Sequence, residues 1–202
     1  LTAHRDDIRL NTDLFKKIKT VYNQKDALNL SAEERYLLEE TYKYYVRAGV
    51  NLDGENKERL KEINKRLSEL STKFGDNLLD ETNDFELHVT DKKDLGPLSA
   101  GLLASSLVES KKRGNDSGWS FTLQRPSINP FLQTSPNRGY RDILFQGYAM
   151  RGNNDNEKDN KAIILEMTSL RVERANLLGF KSHADYVLSE NMAQNPEAVY
   201  GF

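Results

Sequence analysis

Cysteine is absent from the 202 residues, which excludes disulfides, thiolate chemistry and any cysteine-based zinc site. Long apolar runs are absent too. No stretch approaches the roughly 18 residues that a membrane span needs. Neither sign of charge dominates: 29 Lys and Arg stand against 31 Asp and Glu, for a net charge of −2. Nucleic acid and anionic membrane surfaces are therefore not expected partners. Histidine is scarce. His4, His88 and His183 are the three, and none lies in His-Glu-x-x-His, the helical pair that holds zinc with a glutamate base alongside. There is no Gly-rich phosphate loop, because the glycines occur singly, as in Gly96-Pro97 and Arg138-Gly139, and read as turns. No signal peptide is visible. The composition suits a soluble, helix-rich protein, and either a cytoplasmic or a periplasmic location is expected.

What is present is mostly helical periodicity. Ser31 to Asn83 holds two long helices. The first opens with Ser-Ala-Glu-Glu, in which Ser31 and Glu34 have the spacing of a capping box. Leu37, Leu38, Thr41, Tyr42, Tyr45 and Val46 then recur at helical steps, and Gly49 is placed to end the helix in a left-handed conformation. Asp53 can cap the second. Leu60, Ile63, Leu67, Leu70, Phe74 and Leu78 form one stripe over Gly54–Thr82, a helix roughly 43 Å long at about 1.5 Å per residue. The short loop between the two predicts antiparallel packing, with Phe74 in the core. A shorter amphipathic helix, Asp13–Asn23, precedes them.

The period then changes. Phe85, Leu87 and Val89 alternate with polar residues, as do Trp119, Phe121 and Leu123, so Phe85–Val89 and Trp119–Leu123 are expected to be strands that pair. Ser99–Lys112 between them reads as helix, and Gly114–Gly118 as a turn. Pro126, Pro130 and Pro136 mark an irregular crossing segment. Helix is expected again from Asn137 to about Arg151, with Ile143, Leu144, Gly147 and Tyr148 near one face. After a polar connection, Lys158–Leu178 is expected to bury Ile163, Ile164, Met167, Leu170 and Leu178, with Gly179 as the stop. Ser182 and Asn195-Pro196 start two further helices. The fold class is mainly α, a long-helix bundle with a minor two-stranded β element.

Chemistry is harder to find. His88 falls on the polar side of a strand and His183 in the first turn of a helix, and both read as surface or hydrogen-bonded histidines. Glu33-Glu34 and Glu39-Glu40 read as solvated or capping carboxylates. Tyr36, Tyr42, Tyr44 and Tyr45 could line a peptide groove, with packing the favoured role for Tyr42 and Tyr45. No serine or threonine has an obvious base close to it in sequence. No catalytic, cofactor-binding or metal-ligating residue is assigned.

An ordered set of segments does resemble a known family. They are Leu37–Leu52 (LLEETYKYYVRAGVNL), Arg59–Leu87 (RLKEINKRLSELSTKFGDNLLDETNDFEL) and Gly118–Ser127 (GWSFTLQRPS). Asn137–Gly152 (NRGYRDILFQGYAMRG), Asp159–Phe180 and Val187–Phe202 complete the set. Together they resemble the zinc metallopeptidases that include peptidyl-dipeptidase, oligopeptidase A and thimet oligopeptidase, and two stretches, Tyr45–Leu52 (YVRAGVNL) and Met192–Phe202 (MAQNPEAVYGF), are most similar to the peptidyl-dipeptidase (dipeptidyl carboxypeptidase) branch. DLGPL (Asp94–Leu98) departs from the family pattern. The resemblance implies a two-lobed helical enzyme with a deep channel. It also implies zinc held by a downstream His-Glu-x-x-His helix and a further glutamate, none of which maps onto a residue here. Residues 1–202 would then be a helical, non-catalytic region upstream of the zinc catalytic domain, cut at both ends, with no zinc of its own. Its expected partners are the rest of the parent chain and short peptide substrates. The alternative is a free-standing helical binding or adapter module.

Overall fold

A computed structural model describes all residues, Leu1–Phe202. Ten α-helices run α1 (Thr2–Arg9), α2 (Thr12–Asn23), α3 (Ala32–Ala48), α4 (Gly54–Asp84), α5 (Ala100–Lys112), α6 (Arg125–Thr134), α7 (Arg138–Ala149), α8 (Lys161–Leu177), α9 (His183–Leu188) and α10 (Pro196–Tyr200). Strands β1 (Leu87–Val89) and β2 (Trp119–Phe121) are the only sheet, so the fold is mainly α as expected. The chain divides into two compact units, Leu1–Ser71 with Ile164–Phe202, and Thr72–Ile163.

In the first unit, α3 begins and ends as its sequence requires. Ser31 Oγ accepts from the Glu34 N–H while the Glu34 carboxylate accepts from the Ser31 N–H, so the capping box is formed. Gly49 stops the helix at φ +98°, and a Cβ there would stand 2.8 Å from Leu60 Cδ2, so both conformation and space select glycine. The close neighbour of α3 is α2. Phe15, Tyr45 and Val50 are buried between them, with Ile18, Tyr42 and Val46 packed around. Tyr42 stacks on Tyr22 at 3.9 Å and tilts onto Phe15 at 5.4 Å. Aromatic surface on α2 thus covers one face of α3. Leu37 lies outside this contact and is exposed.

The stripe on α4 lies beside α1 and α8. Leu60, Ile63, Leu67 and Leu70 are buried. Beside them Thr2 Oγ1 donates to Ser68 Oγ at 3.0 Å, and Asn64 Nδ2 donates to both oxygens of Asp6 at 3.2 Å. Helix α1 was not foreseen in the sequence. Toward α8, Arg59 forms a fork on Glu173 at 2.6 and 2.9 Å, and Arg66 one on Glu166 at 2.5 and 2.8 Å. The two pairs are seven residues apart on each helix and run in opposite directions, so α4 and α8 lie antiparallel. The apolar residues of α8 are not all buried as expected. Ile164, Leu165 and Val172 are exposed, Ile163, Met167, Leu170 and Leu178 are half-buried, and Ala175 alone is buried within the helix.

In the second unit the expected strands form and pair antiparallel, with Leu87 opposite Phe121, His88 opposite Ser120 and Val89 opposite Trp119. They are shorter than expected, because Phe85 and Leu123 lie outside the ladder. One face of the sheet enters a core with Leu95, Leu98, Leu102, Ile128, Phe131 and Leu144, where Phe121 meets Phe131 edge-to-face at 4.6 Å. A two-stranded ribbon is marginal by itself, and α5 packs closely along β2 to complete it.

The segment carrying the three prolines is not irregular. It forms α6, with Pro126 in the first turn, where no N–H partner is needed, and Pro130 inside the helix. Burial of Ile128 and Phe131 overrides the missing N–H of Pro130, and Pro136 follows the helix end. Along α7, Leu144 is buried but Ile143 is exposed. Phe74 and Leu78 are half-buried, so the apolar stripe of α4 does not continue as core beyond Leu70. Asn77 takes the buried position there and donates to Asn160 Oδ1 at 2.9 Å.

Candidate functional site

The strand pairing brings together three residue types that can carry hydrolytic chemistry. Ser120 Oγ lies 3.2 Å from His88 Nδ1 and donates to Glu86 Oε1 at 2.5 Å. Asn115 Nδ2 donates to the same carboxylate oxygen at 2.8 Å and to Ser120 Oγ at 3.2 Å. His88 was read as a surface or hydrogen-bonded histidine, and it is hydrogen-bonded. The order of the contacts decides what the group can do. A serine nucleophile gives its proton to histidine, and the acid orients that histidine from the other ring nitrogen. Here the single hydroxyl proton goes to Glu86, so His88 and Asn115 act as donors to Ser120. Ser120 is 1% exposed. The hydrogen bond from Ser120, with Asn115, Arg113 and His88 adding to it against burial, holds the Glu86 carboxyl below its usual range. The group is a charged, satisfied clasp between β1, β2 and the turn after α5.

A cleft of about 600 Å³ opens beside this clasp in the second unit. Its lining is hydroxyl and amide, with Glu109 paired to Arg113 at 2.8 Å and to Lys112 at 3.8 Å. Ser105 and Ser106 spend their hydroxyl protons on carbonyls of α5, and Ser127 Oγ accepts from the Thr122 N–H. No base faces a free hydroxyl here.

The first unit holds a second cleft, of about 330 Å³, between α1, α4, α8 and α9. Arg5, Arg9, Arg171 and Arg174 line it with Asp6 and Asn64. His183 stands beside α8, and burial, aided by the charges of Arg174 and Arg171, lowers its pKa. Its Nδ1 is buried without a partner. The arginines escaped the sequence reading, although Arg5 and Arg9 at a step of four, and Arg171 and Arg174 at a step of three, each share a helix face.

The remaining candidates resolve into structure. Tyr42 and Tyr45 pack as expected, while Tyr36 and Tyr44 are exposed. Glu34 caps α3, Glu39 pairs with Lys25 at 2.7 Å, and Glu40 with Lys43 at 2.6 Å. No three of the His, Asp and Glu side chains gather as a metal-binding group, so the residues present do not fit a zinc site. No helix is long and apolar enough to cross a membrane.

Comparison with known proteins places these features in a context. The model of peptidase family M3 matches residues 131–202. The chain is 35% identical over 193 residues to organellar oligopeptidase A, chloroplastic/mitochondrial, of Arabidopsis thaliana, covering 92% of this chain and 24% of that protein. It is 33% identical over 195 residues to oligopeptidase A of Haemophilus influenzae, covering 91% of this chain and 28% of that protein. It is 29% identical over 197 residues to dipeptidyl carboxypeptidase of Escherichia coli, covering 98% of this chain and 29% of that protein. The chain thus spans about a quarter of the length of the curated relatives it matches.

Proposed function

The chain belongs to peptidase family M3, and on that premise we propose that it is a helical, non-catalytic part of a longer peptidase that removes dipeptides from the C-terminus of short peptides. The observation that carries this reading is the similarity itself. It runs over nearly all of this chain and over only about a quarter of each peptidase relative. Catalytic groups, and the zinc that the family resemblance implies, then belong to the remainder of the longer protein. The residues here serve as scaffold and as part of the wall of a substrate channel. Support comes from α8, where Ile164, Leu165 and Val172 leave an apolar stripe that a neighbouring part of a longer chain would cover. Stiff helices around a channel admit flexible peptides and exclude folded proteins, so selection by size is steric.

Mass spectrometry of products from the longer protein tests the reaction, using one peptide with a free C-terminus and its amidated twin. Loss of successive dipeptides, slowed by amidation, is the expected result, since recognition of a free carboxylate relies on charge-assisted hydrogen bonds. Internal cleavage indifferent to amidation would move the protein to an oligopeptidase mode. Absence of metal-dependent cleavage of either peptide would leave a binding or adapter module in its place.

A further inference from the structure

The arginine-lined cleft of the first unit has no role in the reading above. Arg5 and Arg9 come from α1, Arg171 and Arg174 from α8, and Asn64, Ser68 and Ser71 of α4 form its floor. Asp6 is the one acid on the lining. It is buried, it is already held by Asn64, and burial raises its carboxyl pKa. Four guanidinium groups therefore share the cleft with a single acid.

Their hydrogen bonding is incomplete. Arg59 and Arg66, also between α4 and α8, are each saturated by a glutamate fork. None of the four cleft arginines makes an ion pair. Arg9 Nε donates to the Tyr44 hydroxyl. Arg174 Nε is buried with no partner at all, and its guanidinium lies 5.5 Å from the centre of the Tyr186 ring. A buried donor on a charged group is costly to leave unmade.

We propose that this cleft is a binding site for a small oxyanion, a phosphate or a carboxylate group, held by Arg174 and Arg171 from α8 with Arg5 closing over it from α1. Guanidinium forks match the oxygen geometry of both groups. About 330 Å³ is room for such an anion with a few waters. The hydroxyls of Ser68 and Ser71 supply further donors from α4, since the Thr2 hydroxyl gives its proton to Ser68.

Calorimetric titration of the full-length protein with inorganic phosphate and, separately, with succinate tests the site. Saturable uptake of one equivalent of either is expected, and the anion that binds more tightly identifies its class. Arg174→Gln should weaken binding about tenfold or more, and Arg174→Lys nearly as much, because lysine lacks the fork. Arg66→Gln should leave affinity unchanged. Arg5 is exposed, so Arg5→Gln keeps the test open if the Arg174 variants do not fold, and should weaken binding several-fold. The Arg174 Nε–H resonance should shift on titration. No saturable uptake of either anion, or affinity unchanged in both Arg174→Gln and Arg5→Gln, would overturn the proposal. None of these readouts depends on peptide hydrolysis, so the site and the peptidase reading stand or fall separately.

Discussion

Two residues of the second unit show how a buried polar pair and a missing side chain can matter more than a large apolar one. Asn77 and Asn160 are buried at 1% and 2% exposure. Asn160 accepts from Asn77 and donates to the Phe74 carbonyl at 3.2 Å, while Asn77 Oδ1 has no donor of its own. Asn160→Ala would leave the Asn77 amide unmet, while the Phe74 carbonyl keeps its place in the α4 ladder, and should destabilise by about 1–3 kcal/mol in urea unfolding. Phe74, half-buried, should lose less than the roughly 3–5 kcal/mol that a fully buried phenylalanine loses on truncation to alanine. Gly147 is the complementary case. An alanine inside a helix ordinarily gains up to about 1 kcal/mol over glycine. Here the added Cβ would stand 2.3 Å from Phe85 Cε2. Gly147→Ala should therefore destabilise by about 1–3 kcal/mol, and Phe85→Leu in the same chain should recover part of the loss.

Among the elements, the connection between α7 and α8 is ordered by one carboxylate. Glu81 accepts from the Gly152 N–H at 2.5 Å and from the side-chain amides of Asn154 and Asn156, each at 2.9 Å. Burial opposes ionisation of Glu81, but these hydrogen bonds and the charge of Lys158 outweigh it, and its pKa is lowered. A lowered folded-state pKa contributes stability above the unfolded value, near 4.5, and loses it as pH falls through the folded value. The segment from Gly152 to Asn160 should thus gain amide exchange below pH 4.5, corrected for intrinsic rates, and Glu81→Gln should flatten that dependence. The arginine forks between α4 and α8 are a contrasting case, because their side chains are between 41% and 49% exposed. Arg66→Gln should shift the urea midpoint little, and less at high salt. Legibility varied in the same way. The ends of α3 follow from Ser31, Glu34 and Gly49 because caps are local. Helix α6 was hidden by Pro130, whose local cost is overridden by burial of Ile128 and Phe131. The exposed residues of α8 could not be told from buried ones, since periodicity reports an apolar face and not what covers it.

For the whole molecule, the chemistry-bearing groups meet only through folding. Glu86, His88 and Ser120 converge because β1 pairs with β2 across 32 and 34 residues, a separation that no sequence spacing reveals. Arg5 and Arg174 share a cleft from opposite ends of the chain. Neither constellation is built for peptide hydrolysis. Ser120 gives its proton to an acid and is buried, and the one acid in the arginine cleft, Asp6, is held at both oxygens by Asn64. The His, Asp and Glu side chains do not converge in a set of three that could hold zinc. The 202-residue chain alone is therefore expected to take up no stoichiometric zinc by calorimetry and to leave a chromogenic peptide uncut. The longer protein should cut that peptide and lose the activity on treatment with a chelator. Turnover by the isolated chain that persists through removal of contaminating proteases, and that disappears in Ser120→Ala, would place a catalytic serine in the clasp between β1 and β2. Turnover that tracks tight zinc binding would place a metal site within these residues instead. Inactivity of the isolated chain alongside chelator-sensitive cleavage by the longer protein is the outcome the side-chain arrangement predicts.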